Sequence, residues 1–160
     1  MSWDLDAVDL RMLTLLQRDA SLSTAELAER VGISQSPCWR RLQRLRETGY
    51  IKSTVALVDR RKVGFGVQIF AQAKMSRLTD EARADLLRRI DAIPEILECY
   101  TVLGEIDLMV KVVVPDMLCY QEFLISVLLK LPGVQEVRSI VTLAEAKHTT
   151  AIPLKPRNPK

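Results

Sequence analysis

The chain has 160 residues, 48% apolar and 27% charged, with a net charge of +3. That is globular composition, enough for one full core or two small ones, and no apolar run reaches the length of a membrane span. The opening MSWDLDAVDL is acidic where a signal peptide would be basic and then apolar, so a cytoplasmic protein with no membrane partner is expected. Three widely spaced cysteines, Cys38, Cys99 and Cys119, read as reduced, mostly buried small side chains rather than a disulfide framework.

Asp6 predicts the cap of a first helix, in which Leu5, Val8, Met12, Leu13, Leu15 and Leu16 supply a wide apolar face ending near Asp19. Ser23 opens a second helix with Glu26 three residues on, a capping box. Leu27, Ala28 and Val31 form its inner side, and Gly32 closes it.

Ile33 and Ser34 lead directly into SQSPCWRRLQRLRETG, residues 34–49, the stretch around which the chain is organised. Ser34 or Ser36 is placed to cap a helix there, Pro37 suits its first turn, and Gly49 suits the left-handed position after its end. Cys38, Leu42 and Leu45 make a narrow apolar stripe. Ser36, Arg40, Gln43 and Arg44 are then expected to point the opposite way, with Trp39 and Arg41 flanking the stripe.

Hydroxyl, amide and guanidinium groups on one face are what a major groove asks for, since Arg matches guanine, Gln matches adenine, and further Arg meets phosphate. A basic amphipathic helix alone is better explained as a solvated surface, since arginine is also a good helix former. Two short helices joined by a tight glycine-containing turn favour DNA instead, because that is the helix-turn-helix arrangement. Charge agrees: residues 34–62 carry eight basic side chains against two acidic, whereas the basic and acidic residues from 63 onward balance.

LDAVDLRMLTLLQRDASLSTAELAERVGISQSPCWRRLQRLRETGYI resembles the DNA-binding half of the Lrp/AsnC (leucine-responsive, feast/famine) transcription regulators. That family spells this half with an LDxxDxxIL opening, LAxxVGLS, and RRxxRLExxGxI. The resemblance implies that Gln35, Ser36, Trp39, Arg40 and Arg44 face double-stranded promoter DNA, and Ser34 and Arg41 beside them complete the expected DNA-binding set.

Residues 50–59, YIKSTVALVD, alternate loosely and predict a strand. In the resembled family it links the two modules and pairs with its counterpart in a second subunit; a simple linker is the other reading. Arg60, Arg61 and Lys62 follow, and the domain boundary is placed near Lys62, ahead of Gly64 and Gly66.

Beyond it, Val67 to Met75 alternates as a strand, and Thr79 caps a helix carrying Ala82, Leu86, Leu87, Ile90 and Ile93. Ile96 to Leu103 and Ile106 to Val114 form a hairpin about Gly104 and Glu105. Asp116 caps a second helix with Leu118, Phe123, Leu124, Val127 and Leu128 inward, and Val134 to Lys147 supplies a last strand. The fold class is α+β: a winged or three-helix helix-turn-helix domain over 1–62, then a ferredoxin-like βαββαβ domain over 63–152, then a flexible tail over 153–160.

The second half also resembles the family, as its regulation-of-amino-acid-metabolism domain, including a Gly-x-x-Asp hairpin spelled Gly104-Glu105-Ile106-Asp107. The resemblance implies an amino-acid effector site there, between subunits, with Ser139 on the facing strand. Glycine frees backbone N–H groups for a carboxylate, and an acidic side chain can meet an ammonium. An ordinary hairpin turn, with Asp107 facing solvent, is the plainer reading. The family often has an aromatic residue where Ile106 stands.

Phe70, Tyr100, Val102, Met109 and Val113 supply more apolar groups on the other sheet face than a monomer needs. Packing sheet against sheet would bury them. That matches the family's dimers, which assemble further into tetramers and octamers.

Catalytic patterns are missing from the sequence. There is no phosphate-binding glycine loop, and the single histidine, His148, lies outside any metal-ligand spacing. No enzyme activity, cofactor or metal is therefore expected. Cys38 reads as a packed thiol, with redox sensing as the alternative. The Ser-Pro-Cys-Trp-Arg-Arg and Lys-His-Thr-Thr spellings resemble a branch that includes cysteine-detoxification regulators, which makes cysteine an effector candidate beside a leucine-like one.

The sequence therefore points to a nucleoid-associated, sequence-specific regulator whose assembly and DNA binding respond to an amino acid. An architectural protein that wraps DNA by charge without a ligand is the main alternative. An effector-binding protein whose helical head docks protein is a third.

Overall fold

A computed structural model describes residues 5–154, which divide into two compact units. One comprises the chain to Ala56 together with the residues from Lys147 on; the other runs from Leu57 to Ala146.

The first unit is built on α1 (Ala7–Leu16), α2 (Thr24–Val31) and α3 (Gln35–Glu47). Asp6 caps α1, accepting from the N–H groups of Val8 and Asp9, while the Asp9 carboxylate returns a bond to the Asp6 N–H. Ser23 and Glu26 do the same for α2. Reciprocal caps of this kind satisfy N–H groups that the first turn leaves open. Met12, Leu13, Leu27, Ala28, Val31, Cys38, Leu42 and Leu45 form one core, against which Leu5, Ile33, Ile51 and Leu154 pack.

No strand forms over residues 50–59, so this unit has no wing among the described residues. Val55, Leu57 and Val58 are exposed there. A strand needs a hydrogen-bonding partner, and none of the described residues offers one to this segment.

The division precedes the expected boundary at Lys62, and the residues from Lys147 run with the helical unit instead of ending the last strand. The Gln17 side chain grips the backbone of Ile152 at both ends of its amide, Oε1 accepting from the N–H at 2.6 Å and Nε2 donating to the carbonyl at 3.2 Å. Of the expected flexible tail only Pro153 and Leu154 lie within the described residues. A chain ending at Ala146 is expected to lose about 1–2 kcal/mol of stability in the helical unit. Two exposed hydrogen bonds and one half-buried leucine set that scale, and urea unfolding measures it.

The second unit contains β1 (Val67–Met75), α4 (Asp80–Asp91), β2 (Ile96–Thr101), β3 (Leu108–Val114), α5 (Met117–Ser126), a 3₁₀ turn (Leu128–Lys130) and β4 (Val134–Val141). The four strands form one antiparallel sheet in the order β2-β3-β1-β4, with both helices on one face, as the βαββαβ pattern predicts. Ile69, Ala71, Val110, Val112 and Val114 pack against Tyr120 and Phe123 of α5, and Ala73 and Leu108 against Leu86 and Ile90 of α4.

Leu118, expected inward, is exposed; Tyr120 takes the buried place. The two lie about 200° apart around the helix, so only one can face the sheet. On the open face, the register sets Phe70 opposite Lys111 and Tyr100 opposite Met109. Tyr100 is exposed, Phe70, Val102 and Met109 are half-buried, and Val113 is already buried within the chain. Glu98 sits among them, accepting from Lys111 Nζ at 2.9 Å and from the Tyr100 hydroxyl at 2.6 Å.

Candidate nucleic-acid interface and ligand-binding hairpin

Gly32 takes the left-handed conformation, φ +74°, which lets α2 end and α3 begin within a few residues. Ser34 occupies the cap position of α3, yet its side chain makes no capping bond, which leaves the hydroxyl open. Cys38, Leu42 and Leu45 are buried as the stripe predicts. Burial also pushes the Cys38 thiol above the ordinary cysteine range, which keeps it a protonated packing group. Around the start of the helix, Ser34, Gln35, Ser36, Trp39 and Arg40 are exposed. Trp39 is held 52% open, a large aromatic side chain with no role in the core.

Arg44 corrects the helical-wheel expectation. It does not point away from the protein: its Nη2 donates to Asp9 Oδ2. Arg41 Nη1 donates to Asp9 Oδ1 at 2.9 Å and to Asp6 Oδ2 at 2.6 Å. The reason is Asp9, whose side chain is 1% exposed and whose buried carboxylate requires cationic partners. Gln43 is likewise half-buried.

Asp9 was not among the expected site residues. The signal was there: it shares the spacing of Met12, Leu13 and Leu16 on the apolar face of α1, so a charge at that position has to be paired.

Asp6 has a titration consequence. The N–H of Asp9 and the Arg41 guanidinium hold its carboxyl below the ordinary aspartate range. A lowered folded value contributes stability that is fully present above the ordinary range and is lost as pH falls through the lowered one. Asp6→Asn is therefore expected to flatten the acid limb of the stability-against-pH curve while leaving the neutral limb parallel to that of the unsubstituted protein, as read by thermal unfolding.

In the second unit, residues 102–107 turn between β2 and β3. Val102 N–H donates to the Asp107 carbonyl at 3.0 Å, and Asp107 N–H donates to the Ala73 carbonyl at 3.0 Å. Asp107 does not simply face solvent, because its Oδ2 accepts from the Met75 N–H at 2.8 Å and ties the hairpin to the end of β1. Gly104 and Glu105 are exposed and Ile106 is half-buried.

Ser139 is not brought to this hairpin within the chain. It pairs with Ala71, further along β1, and its hydroxyl bonds the Tyr120 hydroxyl at 2.6 Å on the helix side of the sheet. Among the described residues no group of three or more His, Cys, Asp or Glu is placed to hold a metal, and no helix is long and apolar enough to cross a membrane. His148 is exposed.

The Lrp/AsnC ligand binding domain matches residues 68–152, and a winged helix-turn-helix DNA-binding domain matches residues 5–52. The chain belongs to the Lrp/AsnC family of regulators. It is 35% identical to the DNA-binding transcriptional activator DecR of Escherichia coli K12, over 94% of this chain and 99% of that protein. It is 34% identical to the leucine-responsive regulatory protein of the same strain, over 96% and 94%. Among solved structures, a transcriptional regulator of Neisseria meningitidis in complex with L-Met superposes with a TM-score of 0.88 at 36% identity, covering 93% of this chain and 96% of that one. These relatives are regulators of transcription. The Lrp/AsnC ligand-binding match contains the whole hairpin, Gly104–Asp107, and the helix-turn-helix match contains α1 to α3.

Proposed function

We propose that this Lrp/AsnC regulator reads a near-palindromic promoter site with the start of α3, and that a small amino acid bound at the β2–β3 hairpin tunes that binding. The observation that carries the reading is the exposed set Ser34, Gln35, Ser36, Trp39 and Arg40, presented behind a tight glycine turn by a helix whose other side is locked into a core. Arg40 and Gln35 supply the groups that read guanine and adenine, and the open Ser34 and Ser36 hydroxyls suit phosphate or base edges.

The effector is a small neutral amino acid of the cysteine, leucine or methionine type. Methionine joins the first two because a related regulator is seen with L-Met. Gly104 and Glu105 are the open groups of the hairpin, Ile106 offers a half-buried apolar wall, and Asp107 holds the loop against β1. Ser139, bonded to the Tyr120 hydroxyl within the chain, would join the site only from a second subunit.

A homodimer formed through the open sheet face covers Phe70, Val102 and Met109, places two copies of α3 for two half-sites, and supports further assembly to tetramers or octamers. Such a protein works in the cytoplasm, on the nucleoid, and without catalysis.

Calorimetric titration of the purified protein with L-cysteine, L-leucine and L-methionine tests the effector half. One of them is expected to bind and to raise the thermal midpoint, and Glu105→Ala to weaken that binding. Absence of heat and of any midpoint shift for all three would remove the effector from the reading.

A further inference from the structure

We propose that Asp9 is a specificity-determining positioning residue: it withdraws Arg41 and Arg44 from the pool of phosphate-binding cations, so that α3 meets DNA with its reading groups and not with undirected charge. The inference rests on the DNA-binding reading above. α3 carries four arginines, Arg40, Arg41, Arg44 and Arg46. Arg40 and Arg46 are exposed, and neither takes part in an ion pair among the described residues. Arg41 and Arg44 lie one turn apart on the side facing α1, and both guanidiniums end on the one Asp9 carboxylate. Asp6 adds a second acceptor for Arg41, so the two cations are matched by two anions.

Stability alone would be served as well by an apolar arrangement at this place. A buried ion pair seldom outperforms an apolar pair of the same volume, and α1 and α3 already share one apolar core, to which Met12 and Leu13 of the first and Cys38, Leu42 and Leu45 of the second belong. What the carboxylate achieves is directional. Non-specific affinity for DNA scales with the number of phosphates neutralised, and free guanidiniums raise affinity for every sequence alike. Holding two of the four against a buried anion lowers that background while leaving the base-reading groups at the start of the helix untouched.

The test is the salt dependence of binding to a scrambled duplex and to the gene's own upstream duplex, for the full chain and for Asp9→Asn. Asparagine keeps the shape but not the charge. Released guanidiniums are expected to steepen the slope of log K against log salt on scrambled DNA by about 0.9 each, up to about 1.8 for two. Between about 50 and 200 mM salt that is a drop in affinity about twelvefold larger than for the unsubstituted chain, and the ratio of upstream to scrambled affinity falls. Adding Arg41→Gln and Arg44→Gln to Asp9→Asn is expected to restore the original slope.

An unchanged slope with merely lower stability would overturn the proposal, because a residue with only a packing role lowers the folded fraction without altering the number of phosphate contacts. Should Asp9→Asn not fold, nitrogen-15 spectra of the arginine side chains in the unsubstituted protein decide. Addition of the duplex is expected to shift Arg40 and to leave Arg41 and Arg44 slowly rotating and in place; movement of all three would overturn it. Failure of the DNA-binding reading itself has a different signature, namely no salt-dependent binding of either duplex by the unsubstituted chain, and that result would end both.

Discussion

Replacing Arg41 and Arg44 together with alanine is expected to lower the stability of the helical unit by about 3 kcal/mol, a large effect for two residues on the outer part of a helix. The loss comes from Asp9, not from the arginines. Its side chain is 1% exposed, and the two guanidiniums are its cationic partners. With both removed, the carboxylate keeps, among the described residues, only the N–H of Asp6, and a buried charge without a countercharge is among the costliest defects a small core can hold. The figure sits at the low end of the range for broken buried pairs because the arginine side chains are themselves 33% and 42% exposed, so water screens part of the interaction. Combining the pair with Asp9→Leu is expected to recover most of the loss, since an apolar side chain suits that position once the cations are gone. Urea unfolding of the two variants measures both. A double alanine variant as stable as the parent would mean that the carboxylate is not buried in solution.

Arg40→Ala is expected to act in the opposite manner, leaving stability within about 0.5 kcal/mol and reducing promoter affinity about 10- to 100-fold. Arg40 is exposed on α3 and takes part in no ion pair among the described residues, and alanine is a good helix former, so little in the folded chain depends on it. One good bidentate contact to a base edge is worth about 1–3 kcal/mol, which sets the expected loss. A fluorescence-anisotropy titration against the upstream duplex measures it. The loss has to be larger on that duplex than on a scrambled one; an equal loss on both would assign Arg40 to phosphate and not to base reading.

Much of this was legible in the sequence because local chemistry decides it. The Ser23–Glu26 capping box, Gly32 and the Cys38, Leu42, Leu45 stripe each mark a feature that forms as read. The alternation of Val67 to Met75 marks β1 at its observed ends, and Asp116 caps α5 by accepting from the Cys119 N–H. What escaped depends on contacts distant in the chain. Asp9 lies thirty-two residues from Arg41, so a helical wheel drawn on α3 alone turned Arg44 toward solvent. The bond from Ser139 to Tyr120 and the grip of Gln17 on Ile152 are of the same kind, set by which elements the fold brings side by side. Residues 50–59 show the converse. Their pattern predicts a strand, and no strand forms there, because alternation alone supplies no hydrogen-bonding neighbour.

The most direct test of the central claim is the affinity of the purified protein for its own upstream DNA against a scrambled duplex of the same composition, at near-physiological salt, with and without a panel of amino acids. The expected result is upstream binding tighter by about a thousandfold or more, altered by one amino acid of the panel. Equal affinity for both duplexes, a steep salt dependence and no response to any amino acid would contradict it and leave a charge-driven architectural protein in its place.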